Sequence, residues 1–286
     1  MLTEEEAIHF VVKVLKVPKP LEKKRENPHG FLNQLISSFH ETIPFQSMSL
    51  MSLKPEDRHL PTPEEIRQNV VSGVGGLCYT LNTFMKFLLQ ALDYNVYFVS
   101  SHIRHPNNHI ITVVQDLMKP GDKHLVDVGV GYPTFEAIPL DFEHESPVYM
   151  QSFLEYKLVR EGNVIVRWHG KGESRPGVPV VNGWRKVCII DPTPRNLEFF
   201  DEPMTSVYTN PDPDLTPFHT SLRAIIFKDK RAICIKNTSF IVEDENHKLR
   251  ETKMDHQDAL LETIAQYFPQ LHLLAVKALH HFVALA

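Results

Sequence analysis

Thr3 is followed three residues later by Glu6, and then by Ala7, Ile8, Val11, Val12 and Leu15 at helical spacing. That pattern predicts an amphipathic helix opened by a capping box. Pro18 and Pro20 then break it, because proline lacks an amide proton and collides with the preceding turn. A second helix is predicted over about residues 30–40, with Phe31, Leu32, Leu35, Ile36 and Phe39 on one face. Pro61-Thr62-Pro63-Glu64-Glu65-Ile66 reads as an N-cap with proline in the first turn of a short helix. The strongest helical pattern is CYTLNTFMKFLLQAL, residues 78–92. Residues 1–92 therefore read as a helical bundle.

After Tyr94 the pattern switches to period two. Val96, Phe98, His109, Ile111, Val113, Leu125, Asp127 and Gly129 fall in short β-rich runs. Further strands are predicted at 153–160, 163–168, 186–190, 222–228 and 231–236, and a helix at 258–268. The Gly- and Pro-rich segment 169–184 reads as an exposed loop, and the proline-rich SVYTNPDPDLTPF as another. Helices, then strands, then a mixed end predict an α+β protein in three parts, 1–92, 93–200 and 201–286.

Composition narrows the function. The chain has 286 residues, 42% of them hydrophobic, enough for a sizeable core. Lys plus Arg is 30 against 35 Asp plus Glu, a net charge of −5, which gives a nucleic-acid partner no basic face. No run approaches the ~20 apolar residues that span a bilayer, so no membrane partner is expected. The acidic start MLTEEEAIHF lacks the layout of a secretory signal. Three scattered cysteines, Cys78, Cys188 and Cys234, predict a reducing, cytoplasmic setting. A monomer is expected.

Two glycine-bearing windows carry the candidate chemistry. In SGVGGLCYTLN, Gly75 and Gly76 precede Cys78, which opens the strongest helix. Glycines let a ligand approach the backbone closely, and a helix start favours a thiolate and offers free N–H groups to an oxyanion. A buried apolar cysteine at a helix start, with glycines there for packing, is the plain alternative; Cys188 and Cys234, inside apolar strands, take that reading. A thiolate nucleophile needs a base, and the base an orienting carboxylate. His109 starts the run HIITVV after the turn-forming His105-Pro106-Asn107-Asn108, although 16 histidines make any one of them weak support. Asp127 sits between Val126 and Val128, where a charge needs a partner or local backbone N–H groups. The order Cys, His, Asp is that of papain-like triads. His102, His105 and His109 also have ligand-like spacing, but no cysteine or carboxylate completes a tetrahedral set, so no metal is expected.

Taken together these segments resemble the arylamine N-acetyltransferases. Val74-Gly75-Gly76-Leu77-Cys78-Tyr79-Thr80-Leu81-Asn82 matches the family's Arg-Gly-Gly-x-Cys-x-x-x-Asn except at the first position. Asn108-His109-Ile110-Ile111 is similar to the family's histidine motif, and Asp127-Val128-Gly129-Val130-Gly131 to its Asp-Val-Gly-Phe-Gly. Ile43-Pro44-Phe45-Gln46-Ser47 resembles Pro-Phe-Glu-Asn, and Trp184 through Phe218 the family's tryptophan-to-tyrosine stretch closed by Pro-Phe. The resemblance implies a helical bundle, a β-barrel-like middle and a C-terminal α/β lid around a cysteine-proteinase-like core. It implies a ping-pong reaction in which acetyl-CoA acylates Cys78 and an arylamine, hydrazine or similar small amine takes the acetyl group. His109 would serve as base and Asp127 would orient it. Gly131, Tyr208 and Thr216 would contact CoA, and Phe45, Val130 and Phe218 would line the acceptor pocket.

Val74, Gln46, Thr80 and Val130 depart from the family pattern. Val74 and Gln46 stand where the family has an arginine and a glutamate thought to pair, and Thr80 replaces a common glutamate. Losing both charges together avoids the roughly 3–5 kcal/mol cost of leaving one of them buried alone. Val130 replaces a common phenylalanine, removing aromatic surface and predicting an altered, wider acceptor preference. Two other readings stay open: a transglutaminase-like cysteine acyltransferase or hydrolase with an amide donor, and a catalytically silent relative that binds CoA or another ligand.

Overall fold

The computed structural model describes residues 2–172 and 179–280. Its first part is built from the helices the sequence announces. Glu4–Lys13 and Pro63–Val71 each open with a complete capping box, Thr3 with Glu6 and Thr62 with Glu65. The longer helices Pro28–Thr42 and Cys78–Ala91 bury Phe31, Leu35, Phe39, Phe84 and Leu88 between them. Phe10 and Phe84 meet edge to face at 4.8 Å in the middle of this bundle. Pro20, expected only to end a helix, also opens another, Pro20–Glu26, because proline suits the first turn, where its missing N–H is no loss.

The middle is a nine-stranded antiparallel sheet curled into a half-barrel. Its path runs Ile138–Pro139, Lys123–Val126, His109–Gln115, Asn95–His102, Trp184–Arg195, Val164–His169, Leu154–Glu161, Tyr149–Gln151, with Val180–Val181 pairing on Trp184–Arg195. One face buries Val99, Ile111, Tyr156, Ile165 and Ile190 inside the curl. The other lays Phe98, Ile110, Val114 and Val126 against the helical bundle. Part of the expected 169–184 loop is thus strand, while 173–178 lies outside the described residues.

The last part is a five-stranded antiparallel sheet, ordered Phe45–Gln46, Arg223–Lys228, Arg231–Lys236, Ser239–Glu243, Leu249–Lys253. Helices Gln257–Tyr267 and His272–Leu279 cover it, and Leu260, Phe268 and Leu271 share a core with Met48 and Met51 from the first part. The first strand of this sheet therefore comes from near the chain's beginning: Phe45 pairs with Ile225, and also bridges to Gly76. Tyr208, expected in a proline-rich loop, instead ends the helix Asp201–Thr209, whose Pro203 falls in the first turn. No helix among the described residues is long and apolar enough to cross a membrane.

Candidate active site

Cys78 is the first residue of its helix. The preceding Leu77 is extended and carries no side chain able to cap, so the first-turn amides receive no side-chain acceptor. Those N–H groups form the positive end of a 14-residue helix, a fixed set of donors beside the sulfur. Two glycines make the approach possible. Gly75 has φ +72°, and a Cβ there would overlap the Pro44 carbonyl. A Cβ on Gly129 would sit 2.8 Å from the Cys78 Cα, so only glycine lets the 127–131 turn dock on the helix start.

His109 begins its strand opposite Ser101 and is buried. The tight turn before it is held by Asn107 N–H donating to His102 Nδ1 at 2.9 Å and Ile103 N–H donating to Asn108 Oδ1 at 3.0 Å. His109 Nε2 pairs with Asp127 Oδ2 at 2.8 Å. That leaves Nδ1 as the nitrogen that can face the thiol. Cys78 Sγ is 4.0 Å from the carbonyl of neighbouring Asn108. Burial, the largest influence on the imidazole, disfavours its charge; Asp127's charge and hydrogen bond, then the Cys78 contact, outweigh it and lift its pKa well above the ordinary value. The imidazole thus contacts both the Cys78 thiol and the Asp127 carboxylate.

Asp127 lies just beyond the strand Lys123–Val126, with every oxygen occupied. Besides His109, it accepts from Asn82 Nδ2 at 2.8 Å and from Gly129 N–H at 3.1 Å. Burial would raise its pKa, but the His109 charge and these hydrogen bonds hold it below the usual carboxylate range. It thus makes both the histidine contact and the local backbone bond. Asn82, one turn beyond Cys78, closes the cysteine motif in the sequence, which assigns it no role of its own. Its amide also donates to the Ile110 carbonyl at 2.7 Å and accepts from Val128 N–H at 2.9 Å, fastening the helix to the His109 strand and to the turn after Lys123–Val126. The signal was present: i and i+4 share a helix face.

His40 is a second unexpected neighbour. Its ring stands edge-on between Phe135 and Phe227, with centroids at 5.7 and 5.5 Å. Burial is the main cause pushing its pKa down to about 4, with Asp127 opposing.

The remaining expected residues are placed as follows. Phe45 and Phe218 meet edge to face at 5.6 Å, and Gly131 abuts the Phe45 ring, making one apolar corner; Val130 is half-buried in the same turn. Tyr208 is buried with its hydroxyl 3.3 Å from Thr80 Oγ1 and its ring against Tyr79. Thr216 is buried too, its hydroxyl accepting from Phe218 N–H at 3.4 Å. Gln46 closes on Ser49, donating to Oγ at 2.6 Å and accepting from its N–H at 2.9 Å, while Val74 packs against the core of the last part. Both neutral replacements are satisfied in place. His102, His105 and His109 face different partners, and no three metal-ligating side chains converge among the described residues.

The curled sheet, the helix-borne cysteine and the buried histidine–aspartate pair define a protein with a cysteine-proteinase-like core. The sequence model described as N-acetyltransferase matches residues 30–275, and the chain belongs to the arylamine N-acetyltransferase family of acyltransferase enzymes. Among solved structures, the Mycobacterium marinum arylamine N-acetyltransferase in complex with CoA superposes with a TM-score of 0.78 at 17% identity, over 96% of this chain and 97% of that one. The Salmonella typhimurium enzyme gives 0.74 at 17% identity, over 96% and 98%. The M. smegmatis enzyme gives 0.71 at 20% identity, over 87% and 90%. No curated protein matches the sequence.

Proposed function

We propose that the protein transfers an acetyl group from acetyl-CoA to a small amine through a thioester on Cys78. The observation that carries this reading is a buried imidazole that contacts a helix-start sulfur and pairs with a carboxylate at 2.8 Å. Family membership and the CoA complex of a structural neighbour support the choice of donor.

In the first half-reaction the Cys78 sulfur, its proton held by His109, attacks the acetyl carbonyl carbon. The new C–S bond forms as the bond to the CoA sulfur breaks, and His109 returns a proton to the departing thiolate. The first-turn amides of the Cys78–Ala91 helix are suited to hold the negative oxygen that develops. In the second, the amine nitrogen attacks the thioester, His109 accepts the nitrogen's proton, and the Cys78 sulfur leaves. An amide is released and the pair returns to its starting state. Asp127 holds the imidazole in one orientation throughout. Gly131 and the Phe45–Phe218 corner are our assignment for the wall along which substrates approach, with Val130 the position that tunes the acceptor; Tyr208 and Thr216 would shape the CoA side from behind.

The deciding experiment is intact-protein mass spectrometry with acetyl-CoA and no acceptor. An acetyl adduct that maps to Cys78, disappears in Cys78→Ala and is discharged by an amine is the expected result. Failure to acylate while CoA still binds would replace the proposal with a silent ligand-binding relative.

A further inference from the structure

Behind His109, the interior of the half-barrel holds polar side chains that acetyl transfer does not use. Arg167, on the strand Val164–His169, is only 2% exposed. Its Nε donates to His169 Nε2 at 2.9 Å and its Nη1 to Thr134 Oγ1 at 3.1 Å. The guanidinium lies over the Tyr156 ring, 4.3 Å from its centroid. Among the described residues two buried donors remain without a partner here, Arg167 Nη2 and the Tyr156 hydroxyl, which sits on the rim of that same ring.

This is an unusual arrangement for a fixed positive charge. Buried guanidinium groups are ordinarily paired with carboxylates, because an uncompensated charge in a low-dielectric interior is costly. Among the described residues, the two acids that act on this pair have hydrogen-bond partners of their own. Asp127 influences Arg167 only through space, its oxygens being taken by His109, Asn82 and Gly129. Glu136, which acts on Tyr156, accepts from Gln151 Nε2 at 2.7 Å.

We propose that Arg167 and Tyr156 together hold a small monovalent anion of chloride size inside the half-barrel, with Arg167 Nη2 and the Tyr156 hydroxyl as its donors. The burial of both side chains selects the size: a substrate-sized acid would have to bring its own ring into the packed interior. Burial also pushes the Tyr156 ionisation far upward, so the phenol keeps its proton and remains a donor. The anion would occupy the two buried donors that the described residues leave open at this point.

Two measurements on the full chain test the site. Crystals soaked in sodium bromide are expected to show an anomalous peak within hydrogen-bond distance of both Arg167 Nη2 and Tyr156 Oη. In solution, the melting temperature is expected to rise saturably with sodium chloride but not with sodium gluconate at equal ionic strength. Tyr156→Phe should shift that titration to several-fold higher chloride, and Arg167→Met should abolish it. Absence of a halide peak at this position, or an equal rise in gluconate, overturns the proposal. So does a chloride response that Tyr156→Phe leaves unmoved, a comparison that stands even if Arg167→Met does not fold.

Discussion

His40 should make the protein measurably acid-sensitive well above the range where carboxylates titrate. Wedged between Phe135 and Phe227, its imidazole is pushed down to about 4, from an ordinary value of 6.5. A histidine whose folded pKa is depressed contributes stability above its unfolded pKa, and that contribution drains away as the pH falls toward the folded value, because the unfolded chain takes up the proton first. Between pH 7 and pH 5 the unfolded histidine goes from mostly neutral to almost fully charged while the folded one stays neutral. The resulting loss is about 2 kcal/mol, and it approaches roughly 3 kcal/mol once the folded group also titrates. The assay is urea denaturation at pH 7 and pH 5, comparing wild type with His40→Phe, which keeps an aromatic ring between the two phenylalanines. Losing the imidazole shifts both measurements alike; only the difference in pH slope reports the titration. His109, with a raised pKa, works in the opposite sense but is common to both proteins, as are Asp127 and Arg167, the charges that act on the His40 ring. The expected result is that wild type loses about 2 kcal/mol more than the variant over this interval. Parallel slopes would refute the reasoning and place the imidazole in contact with water.

Two further outcomes follow from the same geometry. Asp127→Asn removes the charge that outweighs burial at His109, so the imidazole pKa should fall; acylation of Cys78 by acetyl-CoA should slow by about 10⁴-fold, the scale seen when a triad carboxylate is neutralised, with its pH profile displaced downward, as single-turnover rates between pH 5 and 9 would show. Val130→Phe restores aromatic surface beside the Phe45–Phe218 corner, and the ratio of kcat/KM for arylamines over alkyl hydrazines should rise about 5- to 10-fold, from the ~1 kcal/mol of an added aromatic contact; an unchanged ratio would remove residue 130 from the acceptor wall.

The sequence revealed most where the physics is local. The capping box at Thr3, the N-cap with its first-turn proline at 61–66 and the apolar face of 78–91 are written within a few neighbouring residues, and each appears where expected. Elements fixed by distant partners were invisible. Phe45–Gln46 is too short to show a period, and Leu249–Lys253 is wholly exposed and so carries no alternation. The helix Asp201–Thr209 was hidden because Pro203 and the prolines after it read as loop. The same division holds at the site. Cys78, His109 and Asp127 stand out because each breaks the texture around it, through a glycine pair, a turn and a charge in an apolar run. His40 and Arg167 do not: one is among 16 histidines, the other an ordinary strand arginine until the sheet curls over it.

The short strand Phe45–Gln46 has a bearing on how the protein comes to life. It lies against Gly76, at the foot of the cysteine's helix, and its other edge is completed by Ile225 and Ala224. During synthesis that edge waits, unpaired, for a stretch of chain made some 180 residues later. The ribosome must therefore deliver the chain as far as Ile225 before the ground beneath the sulfur is finished. A nascent chain stalled earlier would carry the nucleophile without the platform that steadies it.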